Sequence, residues 1–325
     1  MEAVLIVGAG PCGISAAIEC KKRGLDPLII EKGAIVNTIY TYPLSMTFFS
    51  SADKIEIGGM PFTTVNERPK REEAIVYYRT VVQKYGIRVQ THEKVEEIQR
   101  HSDHFLVITK SRTGKQEYRS KYVVIATGYY DQPHLMRVEG ENLPHVYHYF
   151  YDAHPFAGQN VVVIGGRHSA IQAALDLYRV GANVTMVYRG AEFDSTIKPW
   201  IRPLIESAIR NQRIKMYWQA TVKKIDLEQV EIYQDDTLIS LPTDAVFAMT
   251  GYRPDLRFFK QLGAEIDPIN EAPVYSDNME TTVPNLYIAG VVATGKDSTK
   301  IFIENGRFHG QKIVEDIIRK EKDTK

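Results

Sequence analysis

The chain has 325 residues, 44% hydrophobic and 25% charged, with 40 Lys plus Arg against 40 Asp plus Glu. That length accommodates two domains with sizeable cores. The neutral balance excludes a general electrostatic footprint for nucleic acid or an anionic membrane. No apolar run approaches the ~20 residues needed to cross a bilayer, and no signal-peptide pattern opens the chain. The expectation is a cytoplasmic protein with neither a nucleic-acid nor a membrane partner.

Residues 4–7 are uniformly apolar and read as a buried parallel strand. Gly8-Ala9-Gly10-Pro11-Cys12-Gly13 follows, and then an amphipathic run over 14–22. A Gly-x-Gly-x-x-Gly turn between a strand and a helix is a dinucleotide site. Gly8 permits the sharp turn, Gly10 lets backbone approach a pyrophosphate, and Gly13 permits close helix–strand packing. The helix start favours phosphate charge. Both cysteines, Cys12 and Cys20, fall on this helix. At ~1.5 Å rise per residue their Cα atoms stand ~12 Å apart, too far for a disulfide. Cys20 reads as a packing residue.

A second apolar strand, 28–30, ends at Glu31, about twenty residues past the glycines, where an acid bonds the ribose of an adenosine. Residues 33–66 are irregular, aromatic and Gly/Pro-punctuated, a loop able to wrap a flat ring system. A helix is expected over 72–85, a strand at 87–89, and a small meander over 96–99, 105–110 and 117–120. Residues 122–128 form a further buried strand ending in Ala126-Thr127-Gly128. Residues 134–155, rich in Tyr, His and Pro, read as a linker. His145, His148 and His154 there lack the cysteines or spaced acids of a metal site, so no metal is expected.

The opening pattern restarts at 160–166, with a strand, a glycine turn, a helix over 169–180 and a strand over 184–189. A helix near 198–211, strands at 214–218, 222–227, 230–233 and 238–241, and a strand 245–249 ending in Thr250-Gly251 complete the repeat. A last strand reaches Gly290 and leads into a C-terminal helix over 300–320. Asp297 or Ser298 would cap that helix, with the Lys300 and Ile301 N–H groups at its start able to stabilise negative charge on a ligand.

Two such units suggest two dinucleotides in one chain, whose shared use is hydride transfer. The first, with its full glycine set and Glu31, suits FAD. In the second, Gly165-Gly166-Arg167-His168-Ser169-Ala170 places Arg167 where the second glycine is expected. Arg167 is there either a phosphate ligand or a solvated turn residue. Its second strand ends in Tyr188-Arg189 rather than an acid, and a cation suits a 2′-phosphate, so NADPH is expected over NADH.

With both units and the Ala126-Thr127-Gly128 and Thr250-Gly251-Tyr252-Arg253-Pro254-Asp255 segments, the chain resembles the thioredoxin reductase-like two-dinucleotide-binding flavoproteins. It lacks their Cys-x-x-Cys, and Ala289-Gly290-Val291 replaces their Ala-Gly-Asp. With Gly-Ala-Gly-Pro-Cys-Gly at the start and the tail from Ile301 to Gly310, it looks like the bacillithiol disulfide reductase family. The resemblance implies an α/β fold of two Rossmann-like, three-layer ββα domains. The FAD domain would comprise 1–130 and 250–325, and the NADPH domain, 131–249, would be inserted into it. It implies an NADPH-dependent flavoenzyme reducing a small-molecule disulfide, with Cys12 as reactive thiol, working as a homodimer or larger homo-oligomer. A flavin-containing monooxygenase-like enzyme or a ferredoxin–NADP reductase is the alternative. Candidate FAD contacts are Gly8, Gly10, Pro11, Cys12, Gly13, Glu31, Lys32, Asn37, Thr47, Val95, Ala126, Thr127, Gly128, Gly290, Lys300 and Ile301. Candidate NADPH contacts are Gly165 to Ala170, Arg189 and Gly251. A helix start lowers a thiol's pKa, which favours a catalytic Cys12. The other reading is steric: cysteine is about alanine-sized and fits the turn.

Overall fold

The computed structural model describes residues 1–195, 197–297 and 300–323. The chain opens with β1 (Glu2–Val7), α1 (Pro11–Lys22), β2 (Leu28–Ile30), the short helices α2 (Asn37–Tyr40) and α3 (Ala52–Ile55), and α4 (Arg71–Lys84). Strands β3 (Arg88–Gln90), β4 (Lys94–Arg100), β5 (Phe105–Ser111) and β6 (Gly114–Ile125) follow. Next come β7 (Val146–Tyr147), β8 (Asn160–Ile164), α5 (His168–Arg179), β9 (Asn183–Val187), α6 (Arg202–Arg210) and β10 (Lys215–Tyr217). Strands β11 (Ala220–Ile225), β12 (Gln229–Gln234), β13 (Thr237–Pro242) and β14 (Ala245–Ala248) precede α7 (Arg257–Gln261), β15 (Leu286–Ile288), α8 (Ile303–Gly306) and α9 (His309–Asp323). Contacts divide the chain into two compact units, Met1–Gln132 with Arg253–Lys325, and Pro133–Tyr252.

In the first unit, β3, β2, β1, β6 and β15 pair in parallel in that order. Leu5, Ile6, Ile29, Val123, Val124 and Ile288 are wholly buried, which is why these strands are uniformly apolar. The register Leu5↔Leu28 and Leu5↔Val123 aligns the carboxyl ends of β1, β2 and β6, where ligands bind in such sheets. Residues 114–125 are one strand, not the two expected. Its first half pairs antiparallel with β5 and its second half parallel with β1 and β15.

The second unit repeats the plan. Its parallel sheet runs β10-β9-β8-β14-β7, with a separate antiparallel sheet β11-β12-β13. Both units are therefore α/β folds built on a parallel sheet that opens with a strand, a glycine turn and a helix. The segment expected to be a linker contributes β7, paired with β14 through Val246↔Val146. Two residues are too few to show a period.

The expected helix over 300–320 is two helices, and Ser298 lies outside the described residues. Ser15 Oγ donates to the Arg307 carbonyl at 2.5 Å and takes it from the helical ladder. Downstream, α9 is anchored by Asp316. Its side chain, 1% exposed, accepts from Tyr287 OH at 2.6 Å and Asn278 Nδ2 at 3.2 Å and pairs with Arg319 and Lys320. Burial pushes its pKa up, but Arg319, Tyr287 and Lys320 outweigh that and hold it below the usual carboxylate range. Asp316→Ala is expected to destabilise this unit by about 2–3 kcal/mol in chemical denaturation at pH 7, because it removes the acceptor of the buried Tyr287 hydroxyl proton and the carboxylate that Arg319 and Lys320 pair with. A carboxylate depressed in the folded state stabilises above its unfolded pKa of roughly 4. The difference between wild type and variant is therefore expected to shrink as pH falls below that value.

Candidate functional site

Two glycines of the first turn are dictated by packing. Gly8 has φ +108°, and a Cβ there would sit 2.6 Å from the Ala126 carbonyl oxygen. A Cβ on Gly13 would lie 2.1 Å from the Gly8 oxygen. Gly10 differs: a Cβ there would meet nothing within 4 Å. Its smallness leaves space for something else. Pro11 opens α1, where its missing N–H is harmless. The Thr127 hydroxyl oxygen is buried and has no hydrogen-bond partner, and Gly128 is left-handed at φ +72° with open space around it. An open glycine at a helix start and an orphaned hydroxyl at the end of the neighbouring strand fit a dinucleotide.

Glu31 is buried and takes part in the turn itself. Its Oε2 accepts the Ala9 N–H and its Oε1 the Gly33 N–H, both at 2.8 Å. Burial raises its pKa, and those two N–H groups partly offset the rise. Each oxygen keeps a second lone pair for a ribose hydroxyl. Lys32 pairs with Asp131 at 2.6 Å. Asn37 braces the loop: its Oδ1 accepts the Ala34 N–H at 3.2 Å, and its side chain fills the space a Cβ on Gly33 would need. Val95 is buried on β4 beside a bulge. Thr47 is exposed and bridges Lys70.

Cys12 departs from expectation. Burial, and then the Glu304 charge, push its thiol up to about 12 rather than down. Its Sγ would lie 3.0 Å from a Cβ on Gly290 and 2.9 Å from one on Gly306, so those two glycines make room for it. The helix start is thus covered by the C-terminal segment. Cys20 is buried, as its place on α1 implied. α9 crosses α1 closely, since a Cβ on Gly310 would lie 2.5 Å from the Ala16 Cα. Lys300 and Ile301 precede α8, so they are not helix-start donors. Lys300 pairs with Asp297 at 3.2 Å, and its carbonyl accepts from Asn305 Nδ2 at 2.8 Å.

His309 is a residue sequence reasoning passed over. Its Nδ1 accepts the Gly290 N–H at 3.2 Å, and burial, with help from Lys312, lowers its pKa to about 4. Nδ1 can accept only when unprotonated, so the ring is neutral. The unusual Gly290-Val291 in place of Gly-Asp was the available signal.

In the second unit Gly165 has φ +135°, and its Cβ would meet the Met249 oxygen at 2.5 Å. Ala170, at the third motif position, is buried against it, and Ser169 is exposed. A Cβ on Gly166 or on Gly190 would lie 2.5 Å from the Tyr188 ring, which therefore lies over the turn. Tyr188 is a second residue not singled out from sequence. Arg167 is exposed, and its Nε contacts Asp194 Oδ2 at 3.2 Å. His168 Nε2 accepts the Lys198 N–H at 2.9 Å, and burial lowers its pKa. Arg189 is exposed just past β9, and Gly251 is left-handed with open space around it. His145 Nε2 lies 3.1 Å from the Asp226 carbonyl oxygen.

Residues 5–290 match the family model described as pyridine nucleotide-disulphide oxidoreductase. The chain is 47% identical over 322 residues to bacilliredoxin reductase Bdr of Bacillus subtilis strain 168, covering 98% of each. It is 48% identical to a solved bacillithiol disulfide reductase Bdr from Bacillus cereus, with a TM-score of 0.97 over 98% of this chain and 99% of that one. A Lactococcus lactis thioredoxin reductase, at 21% identity and a TM-score of 0.77 over 98% of each chain, shares the fold. Among the described residues no helix is long and apolar enough to cross a membrane. The chain is an oxidoreductase that belongs to the pyridine nucleotide-disulphide oxidoreductases and, within them, to the bacillithiol disulfide reductase family.

Proposed function

We propose that this chain is a cytoplasmic, homo-oligomeric enzyme that uses NADPH and FAD to reduce bacillithiol disulfide. The first unit would hold FAD and the second NADPH. The observation that carries the reading is the pair of strand–glycine turn–helix sites, in a chain nearly half identical over its length to proteins named as reductases of this kind. Gly10 would admit the FAD pyrophosphate to the α1 start, Glu31 would hold the adenosine ribose, and Thr127 would bond the ligand through its orphaned hydroxyl. Gly165, Gly166, Arg167 and Ala170 would cradle NADPH. When bound, FAD takes a hydride from NADPH and supplies the two electrons that cleave the disulfide.

Cys12, at the start of α1, would be the thiol beside the flavin. Its Sγ would bond one substrate sulfur and release the other half as a thiolate. Because burial keeps it protonated, it must first lose a proton, so reduction is expected to accelerate with pH between 7 and 9. NADPH consumption by the holoenzyme in the presence of bacillithiol disulfide tests the reading directly. Stoichiometric release of two thiols per NADPH supports it, and no consumption above the oxygen background rejects it.

Arg189 is the cation expected at the 2′-phosphate. Arg189→Ala is expected to raise KM for NADPH by about tenfold or more and leave KM for NADH within about twofold. Steady-state kinetics with both nucleotides measures this, and an unaltered preference for NADPH would reject the assignment.

A further inference from the structure

The two units repeat down to single hydrogen bonds. In the first, Val7 pairs with Ile30, and Ile30 with Gln90. Gly8 N–H donates to the Ile30 carbonyl at 2.9 Å, and Glu31 N–H to the Gln90 carbonyl at 2.8 Å. In the second, Ile164 pairs with Val187, and Val187 with Tyr217. Gly165 N–H donates to the Val187 carbonyl at 2.9 Å, and Tyr188 N–H to the Tyr217 carbonyl at 3.0 Å. Tyr188 therefore stands in the second unit where Glu31 stands in the first, one residue past the second strand of the motif.

The two side chains also meet equivalent neighbours. Glu31 accepts the N–H of Ala9, one residue past the first glycine, and of Gly33, two residues past itself. The Tyr188 ring lies against the matching places, Gly166 and Gly190. A Cβ on Gly166 would come 2.5 Å from its Cδ1, and one on Gly190 2.5 Å from its Cε1. The ring thus accounts for a glycine at 166 where the first turn has Ala9. It is half-buried and meets Trp218 edge to face, with centroids 6.3 Å apart. Among the described residues none hydrogen-bonds the Tyr188 hydroxyl.

In a dinucleotide fold this slot faces the adenosine ribose, and a carboxylate there accepts from the ribose hydroxyl. The same carboxylate would repel a phosphate on that carbon, whereas a phenol is a neutral group with a hydrogen to donate. We propose that Tyr188 selects the nucleotide of the second unit, its hydroxyl donating to the 2′-phosphate of NADPH where a carboxylate would hold the 2′-hydroxyl of NADH. The inference rests on the proposed NADPH site. Arg189, the next residue, supplies charge to that phosphate, and Tyr188 supplies the discrimination.

Calorimetric titration of the oxidised holoenzyme with NADP+ and with NAD+ tests this without turnover, because the two ligands differ by the phosphate at issue. The proteins are wild type, Tyr188→Phe, which keeps the ring over Gly166 and Gly190, and Tyr188→Glu, which copies the first unit. Tyr188→Phe is expected to weaken NADP+ binding about tenfold and leave NAD+ within about twofold. Tyr188→Glu is expected to weaken NADP+ about a hundredfold and to bind NAD+ at least as tightly as wild type. The inference is overturned if Tyr188→Phe binds NADP+ as wild type does, or if either variant loses both nucleotides equally, as a packing role would require. A wild type that binds the two nucleotides alike would reject the NADPH site and the inference with it. A wild-type preference for NADP+ that survives in both variants would reject the inference alone.

Discussion

Gly13→Ala is expected to destabilise the first unit and weaken flavin binding with it, whereas Gly10→Ala is expected to keep the stability of the fold and lose the flavin alone. The two positions are three residues apart in one motif, but their surroundings differ. A methyl on Gly13 would be driven to 2.1 Å from the Gly8 carbonyl oxygen, backbone against backbone, and neither side can yield. Overpacking commonly costs about 1–3 kcal/mol. A clash between two backbone segments belongs at or above the upper end, a fall in Tm of roughly 6–12 °C for a unit of this size. A methyl on Gly10 meets no protein atom within 4 Å, and the backbone there, at φ −76° and ψ 172°, suits alanine. The Gly10→Ala apoprotein is therefore expected to melt within about 2 °C of wild type. Its FAD affinity is expected to fall by about a hundredfold, because the methyl stands where a pyrophosphate must approach backbone N–H groups. Thermal denaturation of the apoproteins and flavin-to-protein absorbance ratios separate the two outcomes. Equal flavin content in Gly10→Ala and wild type would place the pyrophosphate elsewhere.

Cys12→Ser is expected to abolish reduction of bacillithiol disulfide, by at least about a hundredfold in kcat/KM, while FAD remains bound. Serine keeps the small volume that Gly290 and Gly306 accommodate, so packing is preserved and the sulfur chemistry is removed. The raised thiol pKa gives this prediction a second arm. With the neutral form favoured up to about pH 12, the thiolate fraction rises about tenfold for each pH unit through the accessible range. Alkylation of Cys12 by iodoacetamide should therefore be slow at pH 7 and climb steadily to pH 10 without a plateau. An alkylation plateau near pH 7 would mean that the helix start dominates after all. Full activity of Cys12→Ser would make the residue a space-filler and put the disulfide in direct contact with the flavin.

Much of this site was legible in local pattern. The strand, glycine turn and helix of each unit are contiguous, and their spacing follows from backbone geometry at the turn. Glu31 stands out in the sequence by its distance from the glycines as a ribose ligand, and the structure shows it holding the Ala9 and Gly33 amides. What was not legible depends on distant partners. β6 was read as two strands because its first half is mostly exposed in a meander and its second half is buried in a parallel sheet, so the hydrophobic pattern changes midway along one strand. The break between α8 and α9 involves Ser15, 292 residues away from the carbonyl it captures. His309 could not be paired with Gly290 from spacing, since their contact is made by a segment folding back over α1.

The sequence by itself determined that this chain folds as two repeated dinucleotide-binding units, because alternation of apolar strand, glycine turn and amphipathic helix is a short-range property set by backbone sterics and burial. It also placed a thiol at the first helix start. Only the tertiary structure decided the state of that thiol. A helix start by itself favours a thiolate, but the C-terminal segment packs Gly290 and Gly306 against the half-buried Cys12, and desolvation, then the Glu304 charge, push its thiol up.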